Sequence, residues 1–118
     1  MRKDLIQDKT FKFAKRILRL FKYLSTEKKE YIISKQILRS GTSIGANVRE
    51  AKYAQSDKDF ISKLSIALKE TSETEYWLEL MRDEYLTDIE VDAIIPDLIE
   101  IIKILTSSIN TMKDKMKP

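Results

Sequence analysis

Phe13-Ala14-Lys15-Arg16-Ile17-Leu18-Arg19-Leu20-Phe21-Lys22-Tyr23-Leu24 is the stretch that decides the fold class. Phe13, Ile17, Leu20, Phe21 and Leu24 recur at three- and four-residue spacing, which places them along one face of an α-helix. Lys15, Arg16, Arg19 and Lys22 fall on the face away from that stripe. The period is helical rather than the two-residue alternation of a strand. It predicts a first helix over residues 5–24, with Phe11, Ala14 and Leu18 widening the apolar stripe.

The same period continues outward. Ser25-Thr26-Glu27 is the first break, and a second helix is predicted over 27–55, with Ile33, Ile37, Gly41, Ile44 and Val48 on its core face. Ser56 followed by Asp59 has the form of a capping box with a shorter acid, and opens a third helix over 57–86. That helix carries Phe60, Leu64, Ala67, Leu68, Thr71, Leu78, Met81 and Tyr85. Thr87 and Glu90 form a second capping box before a fourth helix over 88–113. There Val91, Ile94, Ile95, Leu98, Ile101, Ile102, Leu105, Ile109 and Met112 give a near-heptad stripe. Pro96 removes one helical hydrogen bond, so the spacing predicts either a kink there or a main helix that starts there. Residues 113–118 are expected to fray.

Four long helices joined by short links pack most simply as an antiparallel up-and-down four-helix bundle, one all-α domain spanning residues 1–118. Composition agrees. The 118 residues include two glycines and two prolines, too few for the turns of an all-β fold, and 35% are charged. No apolar run approaches the length of a membrane span, and the first residues lack the pattern of a signal peptide. With no cysteine there is no disulfide framework, so a cytoplasmic setting is expected. Absence of both cysteine and histidine removes thiol and imidazole catalysis and the usual zinc and di-iron sites. No catalytic residue, metal ligand, cofactor or small-molecule substrate is therefore assigned.

Both glycines lie in Arg39-Ser40-Gly41-Thr42-Ser43-Ile44-Gly45-Ala46-Asn47. The spacing is wrong for a phosphate-binding loop, and no Gly-Lys-Ser/Thr follows. As helical residues each costs about 1 kcal/mol against alanine, which a close helix–helix approach would offset. In a hairpin of helices two and three turning near residues 55–57, the numbers of facing residues sum to about 112. This sets Gly41 against Thr71, Gly45 against Ala67, and Arg39 against Glu73 as an ion pair. Ser40, Ser43 and Asn47 lie beside the glycines. They either bond the carbonyls four residues back or line a site.

The run from Arg39 to Ala51 resembles the signature of the four-helix-bundle proteins encoded in intervening sequences of bacterial 23S rRNA genes. The resemblance continues through Asp59–Glu70 and Glu73–Leu78, and Phe13-Ala14 ahead of a basic stretch is similar too. This sequence departs from the common pattern at Gly45, where many members have proline, and at Arg49, where they have a small residue. The resemblance implies an antiparallel bundle that assembles into a homo-oligomeric ring, often of five subunits, and a relation to nucleic-acid-binding accessory proteins of diversity-generating retroelements. It implies no catalytic residue.

Charge divides unevenly. Residues 1–56 hold 14 Lys/Arg and 5 Asp/Glu, giving +9; residues 57–118 hold 8 and 14, giving −6, for a net +3. Lys12, Lys15, Arg16, Arg19 and Lys22 concentrate the excess on helix one. They read as a solvated face, as a stripe for nucleic-acid phosphates, or as a basic edge meeting the acidic edge of a neighbouring subunit. Tyr23 and Tyr53 are the only aromatics set among the cations, so binding to RNA or DNA is expected to be backbone-directed. Glu70, Glu73, Glu75 and Glu79 read as helix-face charge, and Trp77 as a core or interface anchor. The reading is an oligomeric module that associates with nucleic acid through basic surfaces, or else a purely protein-scaffolding homo-oligomer.

Overall fold

Four amphipathic sequences give four helices in the computed structural model, which describes residues 2–84 and 89–118. They are α1 (Arg2–Thr26), α2 (Ile33–Lys52), α3 (Asp57–Glu84) and α4 (Ile89–Lys115). Each packs on its chain neighbours, and α4 closes back on α1. Among the described residues no Cα pair comes within 8 Å across either diagonal, α1 to α3 or α2 to α4. The result is the antiparallel four-helix bundle, elongated to 53 × 22 × 20 Å. The Thr87–Glu90 capping box and the expected places of Tyr85 and Val91 fall outside the residues and side chains described.

The core follows the predicted stripes. Phe13, Ile17, Leu20 and Leu24 of α1 meet Ile37, Ile44 and Val48 of α2, Leu64, Leu78 and Met81 of α3, and Leu98, Ile101 and Leu105 of α4, all of them buried. Phe11 and Leu18 do not widen the α1 stripe: they are 50% and 52% exposed. Successive helical residues turn by roughly 100°. Leu18 is one step from buried Ile17 and Phe11 two from buried Phe13, which carries both to the solvent side.

The second helix begins at Ile33 rather than at residue 27. Two local features end α1 and delay α2. Lys29 takes a left-handed backbone, φ 54°, which a helix cannot absorb. The Glu30 carboxylate then accepts the backbone N–H groups of Ile32 (3.2 Å), Ile33 (3.0 Å) and Ser34 (2.7 Å). Those are donors that a new helix leaves without partners. Partial burial pushes the Glu30 carboxyl up, but the bonds from Ile33, Ser34 and Ile32 outweigh it and hold its pKa below the ordinary 4.5.

The α2–α3 turn is capped as Ser56 and Asp59 require, with one change. The Ser56 hydroxyl accepts the Asp59 N–H at 3.1 Å, whereas the Asp59 carboxylate reaches back to the N–H of Gln55 (3.2 Å). Pro96 neither starts α4 nor divides it, for the helix runs through it from Ile89. Pro96 and Asp92 are both exposed. The carbonyl that proline leaves unbonded therefore lies on the solvent side of α4 rather than in the core.

The missing side chains of both glycines point at α1. A Cβ on Gly41 would lie 2.8 and 2.9 Å from Cγ1 and Cγ2 of Ile17, and one on Gly45 would lie 3.3–3.4 Å from Thr10. They let α2 approach α1. Thr71 and Ala67, expected opposite them on α3, are buried, and the atoms nearest to an added Cβ belong to α1. Helical spacing fixes a shared face and leaves open which neighbour that face meets; here it meets α1.

Candidate nucleic-acid interface

The basic residues of α1 separate into two groups. Arg16 is bound to Asp97 of α4, and Lys9 to Glu100. Asp97 and Glu100 lie one turn apart, so both carboxylates face α1 and use two of its cations to close the bundle. Lys12 pairs within its own helix with Asp8 at 3.0 Å, and both are largely exposed. Lys15, Arg19 and Lys22 are exposed and have no ion pair among the described residues.

The expected five-residue stripe is thus three free cations, one loosely paired lysine, and Arg16 turned to the α4 side. Sequence reasoning missed Asp97 and Glu100. The signal was the register of an antiparallel α1–α4 pair, which becomes readable only once the bundle is known to close.

α2 adds to the free face. Arg49 is exposed and lies in the wall of a groove between α1 and α2, about 410 Å³ in volume, with Gln7, Phe11, Thr42 and Gly45. Lys35 stands two heptads before Arg49 and is exposed on the same side of α2. Glu50 also lines the groove, and its carboxylate pairs with Lys63 at 3.6 Å.

The remaining motif residues are structural. Arg39 bridges α2 to α3, donating to Glu70 at 3.0 Å and to Glu73. Trp77 Nε1 donates to the same Glu73 carboxylate at 3.3 Å, and the indole meets Tyr76 edge to face at 5.1 Å. Beneath this, the Ser40 and Thr74 hydroxyl oxygens lie 2.9 Å apart, and each also contacts the carbonyl four residues back. Two hydroxyl protons serve three contacts. Ser43 and Asn47 likewise bond the carbonyls of Arg39 (2.6 Å) and Ser43 (2.9 Å). The polar residues beside the glycines are therefore committed to helix carbonyls rather than aimed into a site. Among the described residues no group of three His, Cys, Asp or Glu is placed to hold a metal ion, and no helix is long and apolar enough to cross a membrane.

The fold and charge layout define the class: an antiparallel four-helix bundle with a cationic α1–α2 half and an acidic α3–α4 half. The chain belongs to the 23S rRNA-intervening sequence protein family, which matches residues 2–107. A crystal structure of a protein of unknown function from the S23 ribosomal protein family of Bacteroides thetaiotaomicron VPI-5482 is 57% identical. That similarity covers 93% of this chain and 99% of that one, with a TM-score of 0.90. No curated protein sequence matches this chain.

Proposed function

We propose that this bundle is a non-enzymatic, intracellular, homo-oligomeric module that binds RNA or DNA through its α1–α2 face, chiefly by contacts to the phosphate backbone. The observation that carries this reading is the set of exposed cations that have no ion-pair partner among the described residues: Lys15, Arg19 and Lys22 on α1. Arg49 stands across the groove from Phe11 and extends the set onto α2. Cations held by carboxylates release no counterions from a nucleic acid, whereas these do. The family name, which refers to an rRNA-borne sequence, supports the same direction. Assembly into a ring, often of five subunits in the family it resembles, would repeat the face and raise avidity.

A salt titration tests it. With about four phosphate contacts, affinity for labelled RNA or DNA falls about two to three orders of magnitude between roughly 50 and 300 mM salt. Arg19→Glu with Lys22→Glu abolishes binding, while Arg16→Glu acts mainly on stability because Arg16 is already held by Asp97. Absence of binding at the lowest salt would sink the reading. A scaffolding role then comes forward, favoured by the exposed Leu18 and Tyr76 and by the opposite charges of the two halves.

A further inference from the structure

We propose that the groove between α1 and α2 is a stacking site for an unpaired base of single-stranded nucleic acid, with Phe11 as the platform and Lys15 and Arg49 as the flanking phosphate contacts. This rests on the nucleic-acid reading above and narrows it to one class of strand. Phe11 is an aromatic ring left 50% exposed on a helix whose core stripe is complete without it. The Lys15 ammonium lies 4.8 Å from the ring centroid and the Arg49 guanidinium 5.9 Å. The groove's volume of about 410 Å³ falls within the range of small-ligand sites, about 300–1,000 Å³.

Gly45 keeps the groove floor low, since even a methyl group there would press on Thr10 at 3.3–3.4 Å. Every base has a π-face, so stacking on Phe11 is indifferent to sequence. Lys15 and Arg49 lie over the ring in the free protein, and on binding these flexible side chains swing onto the adjoining phosphates as a base takes their place. A duplex keeps its bases stacked inside and can use only the cations. The comparable groove between α1 and α4 is lined by Leu5, Glu100 and Lys103. It has a cation but no aromatic ring, so it lacks the platform.

Fluorescence anisotropy with labelled oligothymidine, and with a duplex of equal length, tests this at low salt. Phe11→Ala, a change at an exposed position, is expected to weaken single-strand binding on the order of ten-fold. Duplex affinity and the salt slope stay unchanged. Phe11→Trp retains single-strand affinity, and its emission, measured against the Trp77 background, is quenched as oligothymidine is added. Equal weakening of both ligands, or of neither, overturns the stacking site and leaves the basic-face reading standing. Failure of the unaltered protein to bind either oligonucleotide overturns both. A Phe11→Ala protein that loses self-association in sedimentation equilibrium while still binding oligothymidine as tightly shows instead that a second copy covers Phe11, and also overturns the site.

Discussion

Replacing Gly41 with alanine isolates the close approach of α2 to α1. Removing a glycine from a helix interior is worth about 1 kcal/mol of stabilisation by propensity alone. Against that, the new methyl would sit 2.8 and 2.9 Å from the two γ-carbons of Ile17. Both carbons branch from Cβ on a fully buried side chain (0% exposed), so neither can rotate away without moving the other. Overpacking of this kind costs about 1–3 kcal/mol, and the clash with a rigid side chain places it at the upper end. The net expectation is a loss of about 1–2 kcal/mol. With a urea slope of about 1.5 kcal/mol/M, that lowers the unfolding midpoint by about 1 M.

Gly45→Ala is the internal control. Its methyl would meet Thr10 at 3.3–3.4 Å, a small encroachment that the propensity gain nearly cancels, so its midpoint stays within about 0.5 M. Ile17→Ala removes both γ-carbons, and in the double variant Gly41→Ala adds little further loss; the coupling is on the order of 1 kcal/mol or more. Urea unfolding by circular dichroism, run at one fixed protein concentration, reads the parent and the four variants. A Gly41→Ala protein as stable as the parent, or more stable, would refute the tight α1–α2 seam.

Other expectations follow from the junctions. Because the folded-state pKa of Glu30 lies below its ordinary 4.5, its stabilisation is complete above that pH and is lost as pH falls through the folded value. Glu30→Gln should therefore lower stability by about 1 kcal/mol at neutral pH, and the gap to the parent should narrow in melts below pH 4.5; a pH-independent gap contradicts the cap. Arg39→Met strands Glu70, whose side chain is 12% exposed, and should cost about 1–2 kcal/mol in thermal unfolding. Adding Glu70→Gln should recover part of that, and an Arg39→Met protein with an unchanged melting temperature would contradict the bridge. Pro96→Ala restores a helical hydrogen bond on the solvent side and should raise stability by about 1–2 kcal/mol; a destabilised variant would mean that α4 depends on the proline.

Much of this architecture is legible in apolar spacing, because helix burial is a local pattern repeated along each segment. The α2–α3 register is legible too. Arg39 meets Glu73, Ser40 meets Thr74 and Glu50 meets Lys63, a consistent pairing about one short turn. What spacing does not fix is which neighbour a face meets. Gly41 and Gly45 sit on a boundary between α1 and α3, and only the packed bundle decides for α1. The start of α2 was hidden for another reason: Glu30 caps with a long side chain, and a left-handed lysine gives no compositional warning. In the candidate interface the cations were visible, but their partners on α4 lie far along the chain. Phe11 resembles a core residue by composition, but it lies two positions from Phe13, at the edge of the apolar stripe where spacing does not separate core from surface.

The clasp of Arg16 on Asp97 joins positions 81 residues apart, whereas every other seam of the bundle is made between consecutive helices. Its seam has the longest sequence separation of the four, and so carries the largest loop-closure cost. The α1–α4 seam therefore behaves as the latch of the fold rather than one wall among four. Because the latch is partly ionic and shares its helix with the basic face, dissolved salt acts on the fold and on the surface through the same element.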